Sequence, residues 1–323
     1  MAYIGHPIIS VIIPVYNVAD YIERCATSLF EQSLENIEFI FINDKTPDNS
    51  IDILRRTIKK YPHRESLIRI VDMPLNSRQA AARNKGLDVA TGEYVIHCDP
   101  DDWIDPNLYE SLYLKAKKDK CDITTCDYIE HYSEGKQIQS SALESTYPSE
   151  PLFKNEFFFP ALWRHLIKRE LIERNQIKFF KNINFMEDFG FIARILLCSQ
   201  KVGHVHDAFY HYNKRNHNSI TTGINTPEIV RQRIECLNLL DDYFLEHGLR
   251  KSELGFILRT KRDIKDLYLR SEELKKWKDL FPEVADWELK NSDASTMYRL
   301  IYYMSHKVGT WPMNLLLKIK KSI

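Results

Sequence analysis

Ser10-Val11-Ile12-Ile13-Pro14-Val15-Tyr16-Asn17 governs how the rest of this chain is read. From Ile8 to Ile13 the run is apolar and β-branched apart from Ser10, and Pro14 ends it. Continuous apolar character predicts a strand covered on both faces, as in a parallel sheet. The same rhythm recurs downstream. Tyr21, Ile22, Cys25 and Leu29 fall at helical spacing, Ile37 to Ile42 is a second strand, and Ile51, Leu54 and Ile58 share one helical face. Leu67 to Val71 predicts a third strand, Ala80 to Ala90 a helix and Tyr94 to Cys98 a fourth strand. A helix from Pro106 to Lys118 and a strand from Ile123 to Cys126 complete the series. Such alternation predicts an α/β fold with a mostly parallel central sheet flanked by helices. Ligands of these sheets bind beyond the carboxyl ends of the strands.

The chain changes character after residue 126. From Tyr128 to Ser219 it is less regular and rich in aromatics, with Phe153 to Phe159, Trp163, Phe179, Phe180 and a strand-like Phe209 to Tyr212. From Pro227 it becomes helical and charged, with Ile229, Ile234, Leu237, Leu240 and Phe244 in register. The expected division is one domain over 1–225, in halves of about 1–126 and 127–225, followed by a helical C-terminal extension over 226–323.

With 323 residues, 44% hydrophobic and 12% aromatic, the chain has ample material for a core. Lys plus Arg equals Asp plus Glu at 45 each, which argues against a nucleic-acid or general polyanion partner. Six cysteines form no CxxC pair, and most sit in apolar runs. The first apolar stretch is short and carries a proline, unlike a signal peptide, and no run approaches the roughly 20 residues that span a bilayer. The expectation is a reduced, cytoplasmic protein.

Chemistry gathers where strands end. Pro14, Tyr16 and Asn17 follow the first strand, Asn43 and Asp44 the second, Asn76 the third, and Asp99-Pro100-Asp101-Asp102-Trp103 the fourth. Carboxylates this close repel one another unless a cation or donor groups compensate them. Mn²⁺ or Mg²⁺ takes one or two carboxylates and fills its remaining positions with phosphate oxygens and water. The alternative is an acidic loop that caps the next helix, with Asp105 as N-cap. Asp105 alone suffices for that, leaving Asp99, Asp101 and Asp102 to be explained.

Taken together these stretches resemble the family 2 glycosyltransferases. Ser10 to Asn17 looks like the opening motif of that family and Asn43-Asp44-Lys45-Thr46-Pro47-Asp48-Asn49-Ser50 its second. Ala82-Arg83-Asn84-Lys85-Gly86-Leu87, with Ala90 to Tyr94, matches the third, and Asp99 to Trp103 occupies the D-x-D-D-W position. The resemblance covers roughly the first 110 residues and implies a GT-A type nucleotide-sugar-binding fold and inversion at the anomeric carbon. It implies that Pro14 and Tyr16 line the base pocket and that Asp44 accepts the ring N–H of a uracil or thymine. Asn17 and Asn76 join them on the donor side. Arg83 would reach the nucleotide or its phosphates, Asp99 the ribose or the metal, and Asp101 the metal directly with Asp102 in support. Two positions depart from the family: Lys45-Thr46-Pro47 replaces a small Gly-Ser-Thr stretch, and Arg78 stands where a Gly commonly precedes the helix.

An inverting transfer also needs a general base for the acceptor hydroxyl. Glu187 and Asp188 open a helix whose Phe191, Ile192, Ile195 and Leu196 face the core, and many family members carry Glu-Asp there. Asp188 is the candidate base and Glu187 its support; the other reading is of first-turn acids complementing the helix dipole. Tyr210-His211-Tyr212, Arg215 and Asn218 to Thr221 resemble a segment that covers the diphosphate, with Arg215 and Ser219 as phosphate contacts. His206, His211 and His217 are left outside the metal set, since a lone His is more often structural. After Asp293 no acidic residue follows, and Trp311, Met313, Leu315, Leu316, Leu317 and Ile319 mix with Lys318, Lys320 and Lys321. That suits either an interfacial helix on the anionic inner face of the plasma membrane or a docked terminal helix.

The expected activity is transfer of a sugar from a nucleoside diphosphate, UDP above all, to a glycan or lipid-linked saccharide in cell-surface polysaccharide synthesis. A sugar nucleotidyltransferase would want a Gly- and Lys/Arg-rich loop after the first strand, absent from Pro14 to Asp20. A non-catalytic nucleotide-sugar binder would not need both acidic pairs.

Overall fold

The computed structural model describes residues 6–135, 137–140, 146–148, 160–216, 226–249, 255–270, 273–292 and 294–321. They form two compact units, with the boundary in sequence at residues 224 and 225.

The first unit is built on one sheet. Its strands are β1 (Ile9–Val15), β2 (Ile37–Asn43), β3 (Ile68–Asp72), β4 (Tyr94–His97), β5 (Trp103–Ile104), β6 (Ile123–His131), β7 (Gln137–Ser140), β8 (Thr146–Pro148), β9 (His165–Lys168) and β10 (Lys201–Asn213). The order is β3-β2-β1-β4-β9-β6-β10-β5, with β7 on β6 and β8 on β10. The pairs β3–β2, β2–β1, β1–β4 and β6–β10 are parallel. The antiparallel β9 joins the two parallel groups by pairing with both β4 and β6. Helices α1 (Ile22–Phe30), α2 (Ser50–Ile58), α3 (Arg78–Val89), α4 (Leu108–Asp119), α5 (Arg169–Arg174) and α6 (Glu187–Cys198) flank the sheet.

β1 is buried on both faces, as its uninterrupted apolar run requires. Val11, Ile13 and Val15 pack with Ile22, Cys25, Leu29 and Leu54 of α1 and α2. Across the sheet, Ile12 meets α3 at Gly86, where an added Cβ would lie 2.3 Å from Ile12 Cγ2. Only glycine lets the helix come this near, and Arg83 rides on the same helix.

The structure departs from the sequence reading in three places and agrees with it in a fourth. β1 runs through Pro14 to Val15, because a proline in parallel register with Ile42 costs one donor without breaking the extended backbone. Asp105 does not cap the following helix; Asn107 precedes it without a side-chain cap, and Asp105 instead accepts the Phe209 N–H at 3.1 Å. Phe209 to Tyr212 is a strand, as its sequence suggests: it belongs to β10, with Tyr210 and His211 paired to both β5 and β6 and Tyr212 to β6. Finally, β5 has only two residues and β9 only Leu166 and Ile167 between His165 and Lys168, so neither offers an apolar run, and the sequence reading missed both.

The second unit is helical: α7 (Pro227–Glu246), α8 (Gly255–Arg270), α9 (Leu274–Asp279), α10 (Val284–Asn291), α11 (Thr296–Lys307) and α12 (Trp311–Lys321). Thr226 and Ser295 cap α7 and α11 through their hydroxyls. Trp277 is fully buried against Tyr302 and His306, and its indole N–H donates to Asp266 at 3.1 Å. The fully buried Lys261 ammonium is held by Asp241 at 2.6 Å and Glu283 at 2.7 Å. The last two helices keep much of their apolar surface outside. Met297, Leu300 and Met304 of α11, Val308, and Trp311, Leu315 and Ile319 of α12 are all exposed. Met313 is buried and its N–H donates to Ser305 Oγ at 3.0 Å, so α12 docks by one side and bares the other. No helix among the described residues is long and apolar enough to cross a membrane.

Candidate active site

Parallel strands bring their C-terminal ends to one edge, and β1, β2 and β4 there deliver Tyr16-Asn17, Asn43-Asp44 and the Asp99–Asp102 loop. Asp48 ties the first two segments together. Its carboxylate accepts from the Ala19 N–H at 2.9 Å, the Thr46 hydroxyl at 2.6 Å and the Ser50 hydroxyl at 2.6 Å. Asn17 N–H donates to Thr46 Oγ1 at 2.8 Å. The backbone is left-handed at Asn17 (φ 53°), Lys45 (φ 52°) and Arg78 (φ 64°). Arg78 thus holds a conformation that favours glycine, the residue common at this place in the family it resembles.

Pro14 is half-buried, and the Tyr16 side chain, 45% exposed, stands at the edge with its ring available. Asp44 is buried, and its Oδ1 accepts the Ser77 N–H at 2.7 Å; burial pushes its carboxyl upward against that bond. Asn76 is exposed and accepts the Arg78 N–H at 3.1 Å, giving a turn into α3.

Arg83 is the centre of the arrangement. Its guanidinium, with the side chain 5% exposed, donates to Asp99 Oδ1 at 2.9 Å and to Glu187 Oε1 at 2.5 Å. Burial opposes its charge, but Asp99, Glu187 and Asp188 outweigh burial and hold it firmly protonated. Gln79, one turn earlier on α3, donates to the same Glu187 oxygen and to the Asn184 carbonyl. The sequence reading passed over Gln79, although its i, i+4 spacing from Arg83 places both on one helix face.

The acids differ sharply in their partners. Burial pushes the Glu187 carboxyl upward and Asp188 adds repulsion, while the Arg83 guanidinium on its Oε1 works in the opposite sense and holds the charged form. Asp188 is also raised, by burial first; its Oδ1 takes the Phe189 N–H at 2.7 Å, and it is less buried than Glu187. Asp102 is fully buried, accepting the Tyr210 hydroxyl at 2.7 Å and the Asn213 N–H at 2.7 Å. The Tyr210 oxygen in turn accepts the Asp99 N–H at 3.1 Å. Asp101 is half-buried, takes the Asn216 amide at 2.8 Å, and is raised by burial and then by Asp99. Its backbone carbonyl is fixed by Arg24 and by Asn213 Nδ2, each at 3.1 Å. Arg24 lies 3.6 Å over the Trp103 ring, which stacks on His211.

This donor set suits a hard divalent cation. Asp99, its side chain 28% exposed, and Asp101 share one loop and repel, whereas Asp102 is taken up by the fold. Arg215 is exposed and its Nε donates to the Tyr132 carbonyl at 3.0 Å. Ser219, with His217 and Asn218 to Thr221, lies outside the described residues. His211 pairs with Asp105 at 2.9 Å and His131 at 3.0 Å.

The model of the glycosyl transferase family 2 matches residues 10–185. The chain is 32% identical to the uncharacterized glycosyltransferase EpsJ of Bacillus subtilis over 226 residues, covering 67% of this chain and 63% of that protein. It thus spans a little under two thirds of that relative. It is 32% identical to the cholesterol galactosyltransferase of Borreliella burgdorferi over 269 residues, 74% of this chain and 72% of the other. Among solved structures, S. aureus TarS 1–349 in complex with UDP-GlcNAc superposes with a TM-score of 0.75 at 17% identity, covering 97% and 91% of the two chains.

Proposed function

The chain belongs to glycosyl transferase family 2 and has its GT-A type fold, and on that footing we propose that it is an inverting, metal-dependent transferase using a UDP-sugar. The observation that carries the reading is the Arg83 bridge, which unites the aspartate loop of the donor half with the acids that open α6. The Tyr16 ring would lie against the base and Asp44 would accept the uracil N–H through a lone pair that Ser77 leaves open. Asp99 and Asp101 would hold Mn²⁺ or Mg²⁺, which when bound neutralises charge on the departing diphosphate. Arg215 and Ser219 are assigned to the phosphates. Arg83 keeps Asp99 and Glu187 oriented. Asp188 takes the proton of the acceptor hydroxyl as its oxygen bonds to the anomeric carbon and the bond from that carbon to the diphosphate oxygen breaks.

The acceptor is a glycan or lipid-linked saccharide of a cell-surface polymer, met at a membrane. Two features support this: the exposed stripe of α11 and α12, and the absence of any acidic residue after Asp293 while Arg299, Lys307, Lys318, Lys320 and Lys321 follow it. The protein is thus assigned to the cytoplasmic side, peripheral on the inner leaflet.

The activity is tested by incubating the chain with UDP-, dTDP- and GDP-sugars plus Mn²⁺ and following nucleotide release. UDP release that chelator abolishes is expected. Silence with every donor, or turnover indifferent to chelator, sinks the reading or its metal.

A further inference from the structure

Away from the donor edge, Asp127 on β6 and His204 and His206 on β10 bring one ligand atom each to within 4.8 Å of one another. Asp127 is nearly fully buried and divides its carboxylate between two imidazoles. Oδ1 lies 2.9 Å from His204 Nε2, and Oδ2 lies 3.4 Å from His206 Nδ1. The two rings meet edge to face, 4.5 Å apart.

The strand pairing explains the convergence. His204 and His206 are two apart on β10 and so begin on one face. The β10–β6 register is regular to Val205↔Cys126, then breaks and resumes at Phe209↔Asp127. The extra residues of β10 bulge opposite Asp127 and keep His206 beside it. His204 is also held on its other nitrogen. His204 Nδ1 lies 2.7 Å from Thr125 Oγ1, whose hydroxyl reaches the Gly203 carbonyl at 3.4 Å. Without an ion, Nε2–H donates to Asp127 at 2.9 Å; with one bound, Thr125 accepting from Nδ1–H and donating to Gly203 would free the Nε2 lone pair for the metal. The buried Asp127 and His204 form a fixed base, while the His206 side chain, 43% exposed, gives an ion a way in.

We propose that Asp127, His204 and His206 form a zinc site separate from the aspartates of the donor edge. Two imidazoles and one carboxylate, with one position left for water, make the four-coordinate set of Zn²⁺, whereas Mg²⁺ and Mn²⁺ prefer oxygen. The ion crosslinks β6 to β10 at the bulge. Four residues further along β10 is Tyr210, which holds Asp102, so the site fixes the strand on which the aspartate loop rests.

The test uses the full chain, free of any affinity tag and stripped with chelator, in calorimetric titration and thermal unfolding with Zn²⁺ or Mg²⁺. One Zn²⁺ per chain and a rise in Tm that Mg²⁺ does not reproduce are expected. His206→Ala and His206→Asn, both at a partly exposed side chain, should lose that site, and Thr125→Ala should weaken it about 10- to 100-fold. Asp101→Asn should retain it. Absence of a zinc-specific site in the stripped wild-type chain overturns the proposal, as does unchanged Zn²⁺ stoichiometry and affinity in both His206 variants. Loss of the site on Asp101→Asn instead assigns the ion to the donor edge.

Discussion

Arg83 Nη1 and Glu187 Oε1 form a buried ion pair 2.5 Å apart, joining residues 104 positions distant in sequence. The pair separates two neighbouring acids by their surroundings. Glu187 is turned to the cation, whereas Asp188 is less enclosed and bonded to the helix N-terminus.

Asp188→Asn is therefore expected to lower turnover by about 10²- to 10⁴-fold, the usual worth of a general base, with UDP binding and Tm near wild type. Glu187→Ala strips the buried guanidinium of one counter-charge and should cost about 3 kcal/mol in denaturant unfolding. Should Glu187→Gln, which keeps the shape, be the change that abolishes turnover while Asp188→Asn is active, the roles are exchanged.

Adjacent aspartates are expected to fail in different ways. Asp101→Asn should weaken the Mn²⁺-dependent stabilisation by UDP while barely changing the Tm of the free protein. Asp102→Ala leaves the Tyr210 hydroxyl and Asn213 N–H without their acceptor, a loss of about 1–3 kcal/mol in stability. Thermal shift with and without UDP and Mn²⁺ separates the two. An Asp102 variant of wild-type stability would contradict the buried assignment.

The exposed stripe can be altered without disturbing a core. Trp311→Ser, Leu315→Ser and Ile319→Ser combined should leave Tm unchanged and remove binding to phosphatidylglycerol vesicles at low salt, read by cosedimentation. Wild-type protein that stays in the supernatant rules out the membrane, and the stripe then awaits a protein partner.

Asp266 gives a pH dependence whose sign is fixed by its surroundings. Burial raises its carboxyl from 3.8 to about 6, against the hydrogen bonds of Trp277 and Tyr302. Between those values the folded chain keeps a proton that the unfolded chain gives up. The contribution to stability is complete below 3.8 and is lost as the pH rises through about 6. Asp266→Asn, a mimic of the protonated acid, should thus gain on wild type in Tm between pH 4 and pH 7. A Tm difference independent of pH across that window would refute the raised carboxyl.

The sequence alone determined the donor half. The unbroken apolar runs around Ile12, Ile40 and Ile96 have one stable solution, strands covered on both faces, and parallel strands necessarily present Tyr16, Asp44 and Asp99 at one edge. Those residues are legible because each stands next to the strand that positions it. What the tertiary structure decided was which acid is buried and which partners it meets. Asp101 and Asp102 are neighbours in the chain, yet Tyr210 and Asn213, more than 100 positions later, draw only Asp102 into the core. Glu187 and Asp188 are likewise adjacent, and Arg83 and Gln79 select one. The cluster of Asp127, His204 and His206 has no spacing to announce it, since a bulge in strand pairing creates it. Local periodicity sets strands and helices, but the burial and charge of a side chain depend on partners brought by chain closure, and no stretch of sequence contains them.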